Sequence, residues 1–299
     1  MIGYKAGAMA QSKVYFTKTV SPEAMLKMFE ALTIELPGKV AVKVHSGEMG
    51  NQNFIRPAFL KLVLDKVQGT IVECNTAYPG SRFTSDVHWE TMKQHEWTDY
   101  FPVDILDEDG EIELPVQGGN RLQSNIVGSH LDNYDSLLVL SHFKGHQMGG
   151  FGGALKNVAI GLASSRGKSL IHSGGDPEAN WMAGEVEQDH FLECMADANK
   201  SVLDHFNGQV AFVNAMMNIS IDCDCNGAAA PPKIADIGIL SSLDPVALDQ
   251  ACLDLVYALD DPEKADLIER IESLNGPHIL EAAAAIGVGN KEYELVSLD

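Results

Sequence analysis

The residues best suited to chemistry are concentrated in Leu138–Asn157, LVLSHFKGHQMGGFGGALKN. His142 and His146 straddle Lys144, and Lys156 follows ten residues after His146. Neutral imidazole is a common ligand for borderline transition metals. Gly149, Gly150, Gly152 and Gly153 would let backbone N–H groups line a concavity, and the helix that follows adds its positive end, an arrangement that binds anions. The competing reading is a tight strand-to-helix turn whose glycines serve geometry and whose histidines are merely polar. His172 lies sixteen residues beyond Lys156. Cys223 and Cys225 sit in Asp-Cys-Asp-Cys, and in an extended segment such thiols point the same way and could chelate one ion. Two thiols fall short of the four ligands of a structural zinc or cluster site, and flanking carboxylates raise thiol pKa values unless a cation is near. A pair of partly buried cysteines is the plain alternative.

His45, Glu48 and Asn51 come just after one apolar run, and Tyr78 and Arg82 just after another. The planar fork of Arg82 suits a carboxylate or phosphate. The expected ligand-binding set is therefore His45, Glu48, Arg82 and the four glycines. His142, His146, His172, Cys223 and Cys225 are expected to hold a metal, which would be iron, zinc or nickel. His146, Lys144 and Lys156 are the candidates for catalysis. His88, His95, His130, His190, His205 and His278 have no evident partner and read as solvated or core residues.

The elements that must position these groups alternate. Strands are predicted over Val14–Thr19, Lys39–Val44, Thr70–Cys74, Leu137–Leu140, Val210–Val213 and Ile237–Ser241, with a terminal strand over Tyr293–Ser297. Ser21-Pro22 and Asp244-Pro245 open helices, with the first residue as N-cap and proline at N1. Further helices are predicted over Pro57–Val67, Ser85–Glu96, Ala154–Ala163, Glu187–Phe206, Asp261–Ser273 and Pro277–Ile286. Val103–Asp107 and Glu111–Val116, separated by Asp109-Gly110, read as a hairpin. The fold class is α/β, with mostly parallel or mixed sheets flanked by helices, in two lobes with a cleft between them. Residues 1–11 read as a leader or disordered tail, 12–136 as the first lobe, and 137–299 as the second. Strand ends in parallel sheets carry ligand sites, so the loops after the strands are the places to look.

The 299 residues are 45% hydrophobic, enough for a substantial core. A net charge of −21 argues against nucleic acid or an anionic membrane as partner. The chain has no apolar run of membrane-spanning length and no signal-peptide pattern, so a cytoplasmic location is expected. Five cysteines without CxxC spacing make a disulfide framework an unsuitable reading.

The stretches KVHSGEMGN (43–51), NTAYPGSR (75–82), SHFKGHQMGGFGGALKN (141–157), QDHFLECMADANK (188–200), DCDC (222–225) and DIGILSSLDPVALDQACLDLV (236–256) resemble the domain of unknown function 362 family, also described as uncharacterised iron–sulfur centre proteins. Many members carry an inserted ferredoxin-like module with repeated CxxCxxC ligands before the DCDC segment. Here Gly174–Asn207 contains only Cys194, so no ferredoxin-type cluster is expected. His146, Gly152-Gly153, Lys156 and His172 also match, in order and spacing, a motif of lactate racemase-like proteins, which use a nickel pincer nucleotide. That resemblance implies His146 as acid/base, Lys156 as cofactor tether and His172 as nickel ligand.

Together these features lead to the expectation of a metal-binding protein that performs a redox reaction or a proton or hydride transfer on a small acid. His146 would be the base, and Arg82 or Lys144 the carboxylate clamp. The alternatives are a non-enzymatic iron–sulfur or metal carrier using Cys223 and Cys225, and a binding protein for a phosphate-bearing ligand. The expected partners are a small anionic molecule and a redox partner protein.

Overall fold

The structure, a computed structural model, describes residues 11–299. The leader expected over residues 1–11 falls almost wholly outside them. In chain order the first half comprises β1 (Ser12–Thr17), α1 (Pro22–Ala31), β2 (Val40–Lys43), α2 (Pro57–Val67), β3 (Thr70–Glu73), α3 (Ser85–Gln94), α4 (Trp97–Tyr100), β4 (Val103–Ile105), β5 (Glu111–Pro115) and β6 (Ser124–Gly128). Then come β7 (Ser136–His142), β8 (Lys144–His146), β9 (Gly150–Gly152), α5 (Ala154–Leu162), α6 (Ser165–His172), α7 (Gln188–His205), β10 (Val210–Met216), β11 (Gly238–Ser242), α8 (Pro245–Ala258), α9 (Ala265–Ser273), α10 (His278–Ala285) and β12 (Tyr293–Ser297).

Eight strands form one sheet in the order β12-β1-β11-β10-β7-β2-β3-β4. β10, β7, β2, β3 and β4 are mutually parallel, and β11 runs against both of its neighbours. The fold is thus α/β, mostly parallel and flanked by helices. The one sheet takes strands from both sides of residue 136.

The central strand β7, SLLVLSH, is buried at every position, as expected for a parallel strand covered on both faces. Its side chains alternate between two cores. Leu137 and Val139 join the cluster under α5, α7, α8 and α10, whereas Leu138 and Leu140 join the cluster under α1 and α2. The predicted caps are present: Ser21 Oγ accepts from Ala24 N–H at 3.1 Å, and Asp244 accepts from Val246 and Ala247.

The predicted hairpin over 103–116 does not form. β4 extends the main sheet parallel to β3, and β5 pairs with β6 instead. Ile105 and Leu106 are fully buried, so the chain gains more from seating them on the apolar sheet edge than from a local turn. Helix α6 also has no counterpart in the sequence pattern.

The parallel order has a direct functional consequence. β10, β7, β2 and β3 are adjacent and end on the same side of the sheet. The loops that follow them carry Cys223 and Cys225, His146, His45, and Tyr78 with Arg82. The sheet thereby converges chain segments up to about 180 residues apart, as sites at the carboxyl ends of parallel strands require.

Candidate metal centre and ligand cavity

A cavity of about 180 Å³ opens at these strand ends, lined among others by Lys43, His45, Glu73, Tyr78, Arg82, His146, Lys156, Lys168, His172 and Cys225. The sulfurs of Cys223 and Cys225 and a ring nitrogen of His146 lie within 4.8 Å of one another, and His146 and Cys225 line the cavity. Gly145 allows this juxtaposition: a Cβ there would sit 2.0 Å from the Ile221 carbonyl oxygen, whose segment leads to the cysteines. Gly145 N–H also donates to Ser220 O at 2.8 Å.

The hydrogen-bond partners of the histidines divide them by chemistry. His142 donates from Nε2 to the Met217 carbonyl at 2.6 Å and faces the Asp224 carboxylate from Nδ1 at 2.9 Å. Both ring nitrogens are engaged with acceptors, so this ring has no lone pair for a metal. His142, expected as a ligand, stands outside the group formed by His146, Cys223 and Cys225. Lys144 also pairs with Asp224, at 2.9 Å, and all three side chains are buried. The Lys144 amine, expected as a carboxylate clamp or catalytic group, is thus engaged with Asp224. The Asp224 carboxyl stays ionised against its own desolvation because His142 and Lys144 hold it far below the usual carboxylate range. Asp224 thus holds His142 and Lys144 together inside the fold.

In His146 the pattern reverses. Its Nδ1 accepts from the backbone N–H groups of Met148 at 3.1 Å and Gly149 at 2.9 Å. The lone pair is consumed there, so the proton sits on Nε2, 3.9 Å from Cys225 Sγ. Burial, with Lys156 nearby, lowers its pKa to about 4, so the ring is neutral at pH 7. In this arrangement His146 offers a hydrogen bond from Nε2 towards Cys225. His45 is built the same way, with Nδ1 accepting from Gly47 N–H at 3.1 Å and Nε2 3.9 Å from Cys223 Sγ. Its pKa is also lowered, first by burial and then by Arg82.

His172 has the complementary tautomer. Its Nδ1–H donates to the Lys168 carbonyl at 2.6 Å, leaving the Nε2 lone pair free, and the ring is held between Trp181 and Phe191 with centroids at 4.8 and 4.9 Å. Burial lowers its pKa to about 3. A ring locked by a carbonyl at one nitrogen and free at the other is the usual form of a metal-ligating histidine. Lys156, on the first turn of α5, lines the same cavity, and its ammonium makes no hydrogen bond or ion pair among the described residues.

The two thiols of the cysteine pair are shifted in opposite directions. Against the desolvation that burial imposes, the Cys225 hydrogen bond and the charge of Lys156 draw the Cys223 thiol well down. The Cys223 sulfur also receives the Cys225 backbone N–H at 3.4 Å. Cys225, which shares its proton with Cys223, is pushed up. Two sulfurs beside an imidazole form a donor set of the kind that suits a soft or borderline transition metal.

The glycines do not line the cavity. Gly149 supplies an N–H to His146. Gly150 takes φ +77° and packs against Gly276, and Gly152 packs beside Lys144 and Lys156. A Cβ on Gly153 would lie 2.3 Å from Asp249 Oδ1. The N–H groups of Ala154 and Leu155, expected to greet an anionic ligand, donate instead to Asp249 at 2.8 and 2.9 Å. The helix end carries its own carboxylate, so these four glycines serve geometry. Glu48 is likewise internal: it accepts from Ser81 N–H at 2.6 Å and from Arg82 Nε at 3.1 Å, tying the two strand-end loops together.

Sequence reasoning did not single out Lys43, Glu73, Lys168 or Asp249. Lys43 pairs with Glu73 at 2.6 Å inside the cavity wall. Both belong to strands, β2 and β3, and their sequence context reads as strand. A charged residue at the last position of an apolar strand was the available signal.

The profile of the domain of unknown function DUF362 matches residues 40–254. The chain belongs to the DUF362 family. Among solved structures, this DUF362 protein is similar to the lactate racemase apoprotein from Thermoanaerobacterium thermosaccharolyticum. The identity is 12% and the TM-score 0.50, over 82% of this chain and 57% of that one. It is also similar to a protein from Thermotoga maritima, at 8% identity and a TM-score of 0.44, over 90% of this chain and 60% of that one. The chain thus spans less than two thirds of the length of either structure, and the likeness to the racemase is one of fold. No curated protein matches the sequence. Among the described residues, no helix is long and apolar enough to cross a membrane.

Proposed function

We propose that this DUF362 protein is a metal-dependent enzyme that moves a proton or hydride on a small organic acid held in the cavity. The observation that carries this reading is the free Nε2 of His172, fixed by the Lys168 carbonyl on a wall it shares with the unpartnered amine of Lys156. These residues fit a nickel cofactor tethered at Lys156 and ligated by His172, as the lactate racemase-like spacing implies. Such a group, when bound, supplies a hydride-accepting centre beside the substrate. The chain's own residues do the rest. Arg82, 4% exposed and ion-paired to Glu48, presents its guanidinium to the cavity for a carboxylate. His146 keeps a proton at Nε2 and neutral charge at pH 7, while the thiolate-bearing cysteine pair is the group able to accept a proton.

A second reading is favoured by the clustering of Cys223, Cys225 and His146 within 4.8 Å. Three protein ligands with an open position facing a cavity would hold iron or zinc for transfer or catalysis. It requires His146 to give up its Nε2 proton while Nδ1 still accepts two amides, which is its physical cost.

Elemental analysis and intact mass of the full chain from its native host test both. Nickel with a mass increase on the Lys156 peptide supports the tethered cofactor. Iron or zinc, lost in Cys223→Ser/Cys225→Ser but kept in Lys156→Met, supports the thiolate site. Absence of metal and adduct in every preparation overturns both.

A further inference from the structure

Lys168 is a buried cation that the fold leaves without a counter-charge. It lies on α6, is 5% exposed, and donates to the Ala163 carbonyl at 2.6 Å and the Cys74 carbonyl at 3.4 Å. No carboxylate lies within ion-pair distance of it among the described residues. An ammonium has three donors, so one remains, and Lys168 lines the cavity.

Buried charges are ordinarily paired, because an unpaired one carries a desolvation cost of several kcal/mol in order of magnitude. The nearby carboxylates are already engaged. Glu73 pairs with Lys43 at 2.6 Å, and Glu48 with Arg82 at 3.1 Å. Asp107 accepts from the backbone of Asn75 at 2.9 Å and of Ser165 at 3.0 Å. The cavity wall therefore carries Lys43, Arg82, Lys156 and Lys168 against the single carboxylate of Glu73. That excess of positive charge is notable in a chain of net charge −21.

We propose that Lys168 is the anchor for an oxyanion of the cavity's ligand, and that this ligand is a small carboxylate or phosphate whose charge supplies the counter-ion the protein omits. Its two carbonyl contacts hold the ammonium in place beforehand, so binding loses little side-chain freedom. The inference rests on reading the cavity as the ligand site and does not depend on the metal.

The test is calorimetric titration of the metal-stripped full chain with sodium lactate and with inorganic phosphate, against sodium chloride at equal ionic strength. One oxyanion should bind at one per chain, and Lys168→Met should weaken it about tenfold or more, whereas Lys61→Met on the exposed face of α2 should leave it unchanged. Lactate alone identifies the ligand as an acid, and phosphate alone as a phosphate-bearing molecule. If neither anion binds above the chloride background, or if Lys168→Met binds as the unsubstituted chain does, the proposal is overturned. Should Lys168→Met not fold, acylation of the unsubstituted chain read by peptide mass spectrometry replaces it. The bound anion must then slow acylation of Lys168 relative to Lys61, and equal rates overturn the anchor. Metal analysis reports separately, so a failed metal reading leaves this result interpretable.

Discussion

Two neighbouring regions of the molecule use the same residue types for opposite ends. Beneath the cavity, His142, Lys144 and Asp224 form a closed set of charges with every ring nitrogen engaged. On the cavity wall, beside His146 and Cys225, His172 leaves a free lone pair and Lys156 an amine unpartnered among the described residues. His142 and His146 are only four residues apart. What separates them is partner chemistry: a carbonyl and a carboxylate around one ring, two amide N–H groups at the other. Closure produces stability, and incompleteness produces a site.

The comparison makes graded predictions. The largest effect is expected at Asp224→Ala, which leaves the buried Lys144 ammonium and His142 Nδ1 without their partner and should cost about 3–5 kcal/mol. Urea denaturation checks it, and a loss below 1 kcal/mol would dissolve the distinction between the two regions. Gly153→Ala should cost about 1–3 kcal/mol by driving a methyl group against Asp249, measurable in the same way.

A fourth histidine sharpens the point. His88 is fully buried like His142 but has no counter-charge in contact, and its Nε2 has no partner. Burial lowers its pKa to about 3. The folded value lies below the ordinary 6.5, so the unfolded chain binds the proton first. Stability is complete above about pH 6.5 and falls as pH drops from there toward about 3. Replacing His88 with Gln should remove up to about 1.4 kcal/mol per pH unit of that slope. Denaturation curves between pH 7 and pH 5 would reveal it, and parallel slopes for the two proteins would refute it.

The smallest effect belongs to the wall. Lys156→Met removes an amine without a partner, so stability should change by no more than about 0.5 kcal/mol, read from its thermal or urea midpoint. His172→Gln should instead lower bound metal sharply in elemental analysis, whereas His142→Gln should lower stability and spare the metal in whatever folds. The reverse outcome would exchange the roles of the two regions.

Much of the frame was legible in the sequence. β7 reads as an apolar run, Ser21-Pro22 and Asp244-Pro245 mark helix starts, and the polar clusters after β2, β3 and β7 do meet at one sheet edge. The hairpin over 103–116 was misread because the Asp109-Gly110 signal is local, whereas the competing burial of Ile105 and Leu106 is not. The glycine-rich loop was read as an anion cradle because the sequence cannot show Asp249, almost a hundred residues later, occupying it.

The sequence by itself determined which residues were available: the spaced His146–Lys156–His172 set, the Asp-Cys-Asp-Cys segment and the alternation that yields a parallel sheet. Tertiary structure decided what each could do. A histidine's chemistry depends on which nitrogen holds the proton, and a lysine's on whether a carboxylate is within reach. Both are set by atoms distant in the chain, brought near only when the strands pack side by side.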